Sequence, residues 1–151
     1  MSFAQIIHRL RPTRRLALAA ALALSAAALA PGASYAYVTK VPESTGRTDV
    51  ARYVYQYQHV SITADPVQQI WSGMWFTGNN GPAGYGTANS QSPLPGAPAY
   101  SLLARIGNQY TYVGTGKDFV AQTSGWLTLF INDDVPGNGN GYFGIENLSV
   151  G

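Results

Sequence analysis

The sequence predicts an all-β protein, a small antiparallel β-sandwich of the jelly-roll or galactose-binding-domain-like kind. Short segments rich in aromatic and β-branched residues recur, separated by turn signals about every ten residues. After residue 36, no stretch has the apolar periodicity that marks an amphipathic helix. No internal repeat and no linker divides residues 37–151, so we expect one domain with one core.

The first part of this domain alternates between irregular and strand-like sequence. Residues 37–50 mix polar side chains with proline and glycine, which predicts a loose leader that contains at most a short edge strand near Val38 to Val41. Tyrosines alternate with other residues over 52–63, which indicates a strand, and the apolar phase shifts near His59, which indicates a bulge or bend. After an Asp-Pro turn, the aromatic segment 67–76 predicts another strand.

Residues 77–99 consist almost entirely of Gly, Pro, Asn, Ser and Ala. So long a loop in a small domain is more often functional than accidental, and a disordered insertion is the alternative. Strand-like sequence then returns over residues 100–107, 110–114, 117–121, 125–131 and 142–150. Because Trp75 and Trp126 lie in strand sequence, we expect both in the core.

The first 36 residues have the features of a secretory signal peptide. Several arginines precede an apolar run of roughly a dozen residues that begins at Leu16, and the small residues Ser34 and Ala36 occupy the −3 and −1 positions. The run is short for a bilayer-spanning helix, which disfavours a retained membrane anchor. We therefore expect cleavage after Ala36, a secreted or periplasmic protein, and no membrane span in the mature chain.

Charge excludes one class of partner. Of the nine Lys and Arg, four lie in the signal segment, so five basic residues accompany seven acidic ones in the mature chain. Because there is no basic patch, we expect no nucleic acid as a partner. The chain has no cysteine, which excludes disulfides and thiolate chemistry.

An acidic, glycine-rich loop, residues 132–141, lies between the predicted strands 125–131 and 142–150. It holds the adjacent carboxylates Asp133 and Asp134, and calcium prefers oxygens from carboxylates, amides and backbone carbonyls that glycines allow to turn inward. An ordinary hairpin connection is the alternative. The loop is longer than a hairpin needs and contains two of only seven acidic residues, which favours a calcium site.

Catalytic motifs are absent, so we expect that the protein is not an enzyme. His59 is the only histidine of the mature chain, and no nucleophile motif accompanies it. Asp133 and Asp134 are disfavoured as a glycosidase pair, because adjacent residues at a strand end point to opposite sides and the flanks supply no apolar pocket that would raise a carboxyl pKa. The glycine-rich run 78–86 is not followed by Lys-Ser or Lys-Thr, which excludes a phosphate-binding loop.

Several segments of the C-terminal half form a recognisable set: Leu102–Asn108, Phe119–Ala121 and Gly125–Gly137, the last containing an N-D-x-V-P-G loop after a strand. This set resembles the calcium-dependent, galactophilic soluble lectins of the PA-IL type. Residues 70–73 and 81–84 are more weakly similar to that family's first metal loop. The resemblance implies a small jelly-roll sandwich in which one calcium ion bridges the protein and the hydroxyls of a sugar.

The resemblance also implies a set of metal ligands. The residues that align with ligands are Thr77, Asp134, Asn138 and Asn140. Thr77 and Asn138 would act through their backbone carbonyls, and Asp134 would also face the sugar. Because this loop is shorter than the family's, Asp133 or Asn132 would replace a missing side-chain ligand.

The predicted function is a secreted, calcium-dependent carbohydrate-binding domain. Its sugar-binding residues would be Asp134, Val135, Asn140 and Tyr85. Tyr85 would stack on the apolar face of the sugar, with Trp75 and Tyr142 as alternatives. The expected partner is a carbohydrate or glycoconjugate, and self-association into a homo-oligomer stays open.

Two departures from the family pattern affect specificity. Ser92 and Pro95 align with the family's sugar-contacting histidine and glutamine, and neither can form the same hydrogen bonds. Galactose specificity therefore does not carry over. An exported structural or protein-interaction sandwich that has lost sugar binding is the alternative function.

Overall fold

The structure is a computed structural model that describes residues 37–151. Within that range the chain forms ten strands and no helix. In chain order the strands are β1 (Thr39–Pro42), β2 (Arg47–Val54), β3 (His59–Ala64), β4 (Ile70–Trp71), β5 (Asn79–Asn80), β6 (Leu102–Ile106), β7 (Gln109–Tyr112), β8 (Gly116–Val120), β9 (Gly125–Ile131) and β10 (Asn140–Val150). The predicted signal peptide, residues 1–36, lies outside the described residues. Among those that are described, no helix is long and apolar enough to cross a membrane.

The strands form two antiparallel sheets. In the first sheet the order is β5-β4-β10-β3-β8, and β1 also pairs with β10; in the second it is β2-β9-β6-β7. Ile62 and Phe143 of the first sheet and Ile106 and Leu129 of the second belong to one buried apolar cluster. The prediction of an all-β, antiparallel fold is confirmed.

Strand β9 explains how the sequence builds this core. Leu127, Leu129 and Ile131 are buried, because alternate side chains of a strand point to the same face. Trp126 has the opposite parity, is 62% exposed, and lies edge-to-face with Tyr53 at 5.5 Å between ring centroids. The expectation of a core role for Trp126 is wrong for this reason. It is also wrong for Trp75, which lies outside any strand and is 87% exposed.

Residues 37–50 are more regular than the expected loose leader, and the short edge strand expected near Val38 to Val41 is observed as β1. They contain β1, which pairs with β10 from Thr39 opposite Ile145 to Pro42 opposite Tyr142. They also contain the start of β2, which pairs with β9. The partner strands lie at the far end of the chain, so no local pattern indicated the pairing.

The predicted strand over 52–63 is two strands in different sheets. β2 ends at Val54 and β3 begins at His59, and the chain crosses from the second sheet to the first between them. Tyr57 adopts a φ of 71° in this turn, and its amide donates to the carbonyl of Ala121 at 2.8 Å. The shift of apolar phase near His59 marks this crossing.

The predicted strand over 67–76 is mostly irregular, and only β4 is extended. Gly73 turns the chain immediately after β4 with a φ of 78°. The segment 77–99 is irregular as expected, apart from β5 and a single bridge between Tyr85 and Ala99. The short strands β4 and β5 form one edge of the first sheet. The acidic loop leads into β10 next to β4, so it lies at this edge.

Tyr37 ties the start of the described chain to the turn after β3. Its hydroxyl donates to Asp65 Oδ2 at 2.5 Å. This hydrogen bond is the main cause that lowers the pKa of Asp65, and it raises the pKa of Tyr37 to about 12. Because the pKa of Asp65 is lower in the folded than in the unfolded chain, the carboxylate stabilises the fold at neutral pH, and this stabilisation is lost as the pH falls through the folded value.

Replacing Tyr37→Phe should therefore lower the melting temperature at neutral pH, and the effect should become smaller as the pH falls and Asp65 takes up a proton. Thermal denaturation at about pH 7 and about pH 2 measures the difference. Tyr57→Phe, at an exposed tyrosine, is the control for loss of a hydroxyl. An equal loss for Tyr37→Phe at both pH values would show that the bond to the carboxylate is not responsible.

Candidate functional site

The acidic loop, residues 132–141, leaves β9 and enters β10 beside β4. Asn140 and Gly141 pair with Trp71 and Ile70. Gly139 packs so tightly on the backbone carbonyl of Trp71 that only glycine fits there. The loop is therefore fixed against the segment that follows β4.

Asn138 contacts the same segment. A Cβ built on Gly73 would lie 2.5 Å from Asn138 Oδ1 and 2.9 Å from its backbone oxygen, so both oxygens of Asn138 face the glycine turn. This contact brings the acidic loop next to the segment after β4, and the sequence analysis predicted that these two regions form one metal site.

Glu43, in the turn after β1, inserts into the acidic loop. Its amide donates to the carbonyl of Gly141 at 3.1 Å, and its carbonyl accepts from the amide of Gly137 at 3.1 Å. Its side chain is 0% exposed, and Oε1 also accepts from the Gly137 amide, at 3.0 Å. Oε2 is buried and has no hydrogen-bond partner.

Asp133 is the buried member of the aspartate pair. It is 4% exposed, and Oδ1 accepts from the amide of Val135 at 3.1 Å. Oδ2 is buried and has no hydrogen-bond partner. The pKa of the Asp133 carboxyl is raised to about 6, mainly by burial and to a smaller extent by Asp134 and Glu43, while the hydrogen bond from the Val135 amide acts in the opposite direction. The flanking sequence indicated no apolar pocket that would raise a carboxyl pKa, and Asp133 is nevertheless buried in the folded chain.

Asp134 is the exposed member of the pair. Its Oδ2 accepts from Asn89 Nδ2 at 2.6 Å. The other amide atom of Asn89, Oδ1, accepts from the backbone amides of Gln91 at 2.8 Å and Ser92 at 3.2 Å, which fixes the orientation of the Asn89 side chain. A polar pair, one carboxylate and one oriented amide, thus faces solvent.

Asn132 holds the 89–98 segment against the acidic loop. Its Oδ1 accepts from the amide of Leu94 at 2.9 Å, and its Nδ2 donates to the carbonyls of Leu94 and Pro98, both at 3.0 Å. The side chain is completely buried. Asn132 therefore has a positioning role, and of the two replacements considered for the missing ligand only Asp133 keeps a free oxygen.

Thr77 is held in place by hydrogen bonds of its hydroxyl group. Its Oγ1 lies 3.2 Å from Ser72 Oγ and donates to the carbonyl of Met74 at 3.0 Å. Burial and, less strongly, the charge of Asp133 raise the pKa of the Tyr100 hydroxyl, and Ser72 acts in the opposite direction. Tyr100 holds a strained backbone with a φ of 59°. Coordination by the Thr77 carbonyl stays a prediction.

The predicted sugar-facing residues are on the surface. Val135 and Asn140 are exposed, and Tyr85 is 53% exposed on the 77–99 segment, where its bridge to Ala99 fixes the backbone. Trp75 and Phe76 form an exposed edge-to-face pair, with ring centroids 5.8 Å apart. They immediately precede Thr77 in the sequence. The roles of Val135, Asn140 and Tyr85 in ligand binding stay predictions.

The donor set fits a hard cation such as calcium. Within residues 37–151, no three or more His, Cys, Asp or Glu side chains are grouped closely enough to hold a metal by themselves. Calcium also accepts backbone and amide carbonyl oxygens, which Asn138 and the glycine-rich loop provide. Asp133 Oδ2, a buried carboxylate oxygen without a partner, is the kind of atom that a bound cation would satisfy.

Sequence reasoning missed Glu43, Asn89 and Tyr100. Each comes from a segment distant from the loop along the chain, and Glu43 and Gly137 are 94 residues apart. One feature of the sequence could have pointed to Glu43: it is one of only seven acidic residues, so each of them is a candidate for a specific role.

No protein-family model matches the chain, and no curated protein matches it. Four solved chains do. One of them, described as "EclA N-terminal domain; PllA-like lectin", is similar with a TM-score of 0.59 and 22% sequence identity, over 75% of this chain and 94% of that chain. A likeness at this identity establishes the fold, which this chain shares with that lectin domain.

Proposed function

We propose that this protein is a secreted or periplasmic carbohydrate-binding domain whose sugar site depends on calcium. The observation that carries the proposal is that two adjacent carboxylates have different environments, one buried and one exposed. Asp133 is buried with one oxygen free of hydrogen bonds, and Asp134 is exposed beside the fixed amide of Asn89. One carboxylate can face a cation from the protein side while its neighbour faces a ligand.

The residues that would hold calcium are Thr77, Asp133, Asp134, Asn138 and Asn140. Asp133 and Asp134 would provide the charge, and the others would provide neutral oxygens. When bound, calcium offers coordination positions at which vicinal sugar hydroxyls replace water. Asn138 already faces the Gly73 turn, which supports a site shared by the acidic loop and the segment after β4.

The residues that would contact the sugar directly are Asp134, Val135, Asn140 and Tyr85. Asp134 and the Asn89 amide can accept and donate hydrogen bonds to hydroxyls, and an exposed aromatic ring can cover an apolar sugar face. Ser92 is buried and hydrogen-bonded to Asn89, so it supports Asn89 and does not itself face a ligand. Asn89 is thus the residue that would give this site its own specificity, different from the galactose pattern of the PA-IL type.

The fold also supports the proposal. The similar solved chain is described as a lectin, and nearly all of that chain is covered by the match. The 37–151 segment lacks a motif for catalysis, and no nucleophile accompanies its single histidine.

A glycan array probed in calcium and again after chelation tests this function. We expect glycan binding that chelation removes and that Asp134→Asn abolishes, because the substitution removes a charged ligand from the site. Asp118→Asn, at an exposed aspartate on β8, is the matched control and should bind as the wild type does. Binding unaffected by chelator and by Asp134→Asn would contradict the proposal. If no glycan binds, the alternative of a sandwich that has lost sugar binding is favoured.

A further inference from the structure

We propose that Glu43, from the turn between β1 and β2, supplies a second buried carboxylate to the cation site of the acidic loop. This inference rests on the proposed function and adds to it a ligand from a separate part of the chain. It also makes the N-terminal turn a part of the site.

The position of Glu43 is fixed before any cation binds. Its backbone forms hydrogen bonds with Gly137 and Gly141, and its Oε1 shares the Gly137 amide with its own backbone carbonyl. The carboxyl carbon lies 3.0 Å from where a Cβ on Gly139 would be, so the absence of a side chain at Gly139 makes the space that the carboxylate occupies. The site is preorganised, and this lowers the entropic cost of binding.

The free oxygen of Glu43 requires a partner. Oε2 belongs to a completely buried side chain and has no hydrogen bond. Asp133 Oδ2, in the acidic loop, is also buried without a hydrogen-bond partner. Two buried carboxylates near one another repel, whereas a divalent cation that contacts both converts the repulsion into attraction.

The consequence is a coupling between metal binding and the N-terminal strands. Glu43 immediately follows β1 and precedes β2, and these strands lie in different sheets. A cation that contacts Glu43 and Asp133 therefore links the β1–β2 turn to the loop between β9 and β10. Calcium should protect the amides of residues 43–46 from hydrogen exchange.

The test compares Glu43→Gln with the wild-type protein. Glutamine keeps the Oε1 acceptor for the Gly137 amide and replaces Oε2 with an uncharged amide group of similar size, so we expect the apo fold to be preserved. Glu146→Gln, at an exposed glutamate on β10, is the matched control. Calcium affinity is measured by isothermal titration calorimetry, and melting temperature is measured with calcium and with chelator.

We expect opposite effects in the two conditions. With chelator, Glu43→Gln should melt at or above the wild-type temperature, because a buried unpaired charge is gone. Calcium should raise the melting temperature of the wild type and of Glu146→Gln more than that of Glu43→Gln, whose calcium affinity should be at least about tenfold weaker. A purely structural role would lower the melting temperature equally with and without calcium.

The outcomes separate the two proposals. If the wild type binds calcium and Glu43→Gln binds it equally well, Glu43 is not a ligand and the proposed function stands. If the wild type does not bind calcium, the calcium dependence itself is refuted. If Glu43→Gln does not fold, hydrogen exchange of the wild type decides: unchanged exchange at residues 43–46 on addition of calcium would overturn the assignment.

Discussion

Replacing Gly139→Ala is expected to destabilise the fold by about 3 kcal/mol or more and to abolish binding at the acidic loop. The added methyl would overlap the Trp71 carbonyl oxygen and would lie 2.8 Å from the Trp71 carbonyl carbon and 3.0 Å from the Glu43 carboxyl carbon. Two of these atoms are backbone, so they cannot move aside as a flexible side chain would. The loop must separate from β4, which breaks the pairing of Asn140 with Trp71.

Urea denaturation and a calcium titration measure both effects of Gly139→Ala. Gly116→Ala is the control, since its nearest contact would be 3.5 Å, an ordinary van der Waals distance. Wild-type stability together with wild-type calcium affinity in Gly139→Ala would contradict the close packing of the loop on β4 and the preorganised site that follows from it.

Replacing Phe143→Ala is expected to cost about 3–5 kcal/mol of unfolding free energy. Phe143 is fully buried and heads the fully buried side chains by volume, so its removal leaves a cavity in the core cluster of the two sheets. It also follows the acidic loop by two residues in β10, directly opposite Val41 of β1. A loss of this size is a large part of the stability of a small domain.

The measurement for Phe143→Ala is chemical denaturation, with Phe76→Ala as the matched control. Phe76 is exposed, so the same truncation should change stability little. If Phe143→Ala lowers the unfolding free energy no more than Phe76→Ala does, the Phe143 side chain of β10 does not stabilise the core.

Local patterns predicted those parts of the fold that depend on local sequence. The strand Gly125–Ile131 was predicted with its observed bounds because its alternation and its bounding turn lie in the same few residues. The face of the strand on which an aromatic residue lies decides whether it is buried. The prediction for Trp126 used only its aromatic character and was therefore wrong. The segment 37–50 is more ordered than a loose leader because β1, the expected short edge strand, is held by β10, and no pattern within residues 37–50 reveals that partner.

The candidate site shows the same limit. The acidic loop was identified from its composition, and its adjacent aspartates do differ in environment, one buried and one exposed. Adjacent residues at a strand end point to different sides, so this difference follows from local geometry. Asn89, which donates to Asp134, and Glu43, which is hydrogen-bonded to the same loop at Gly137, come from segments that only the folded sheets bring together.

The burial of Asp133 has the same non-local origin. Its flanking sequence is polar and glycine-rich, which gave no reason to expect a raised carboxyl pKa. In the folded chain Asp133 is nevertheless buried, and the turn after β1, which is far away in sequence, packs on the same loop through the hydrogen bonds of Glu43 to Gly137 and Gly141. The residues next to Asp133 in the sequence do not indicate that the folded chain buries its carboxyl group in an environment of low dielectric constant.

The central claim is that the acidic loop holds a cation, and metal analysis after equilibrium dialysis against calcium tests it most directly. The account predicts one calcium ion per chain in the wild type and a clear loss in Asp133→Asn, with Asp118→Asn unchanged. A wild-type protein that retains no calcium above the dialysis buffer, or an Asp133→Asn variant that retains as much as the wild type, would contradict it.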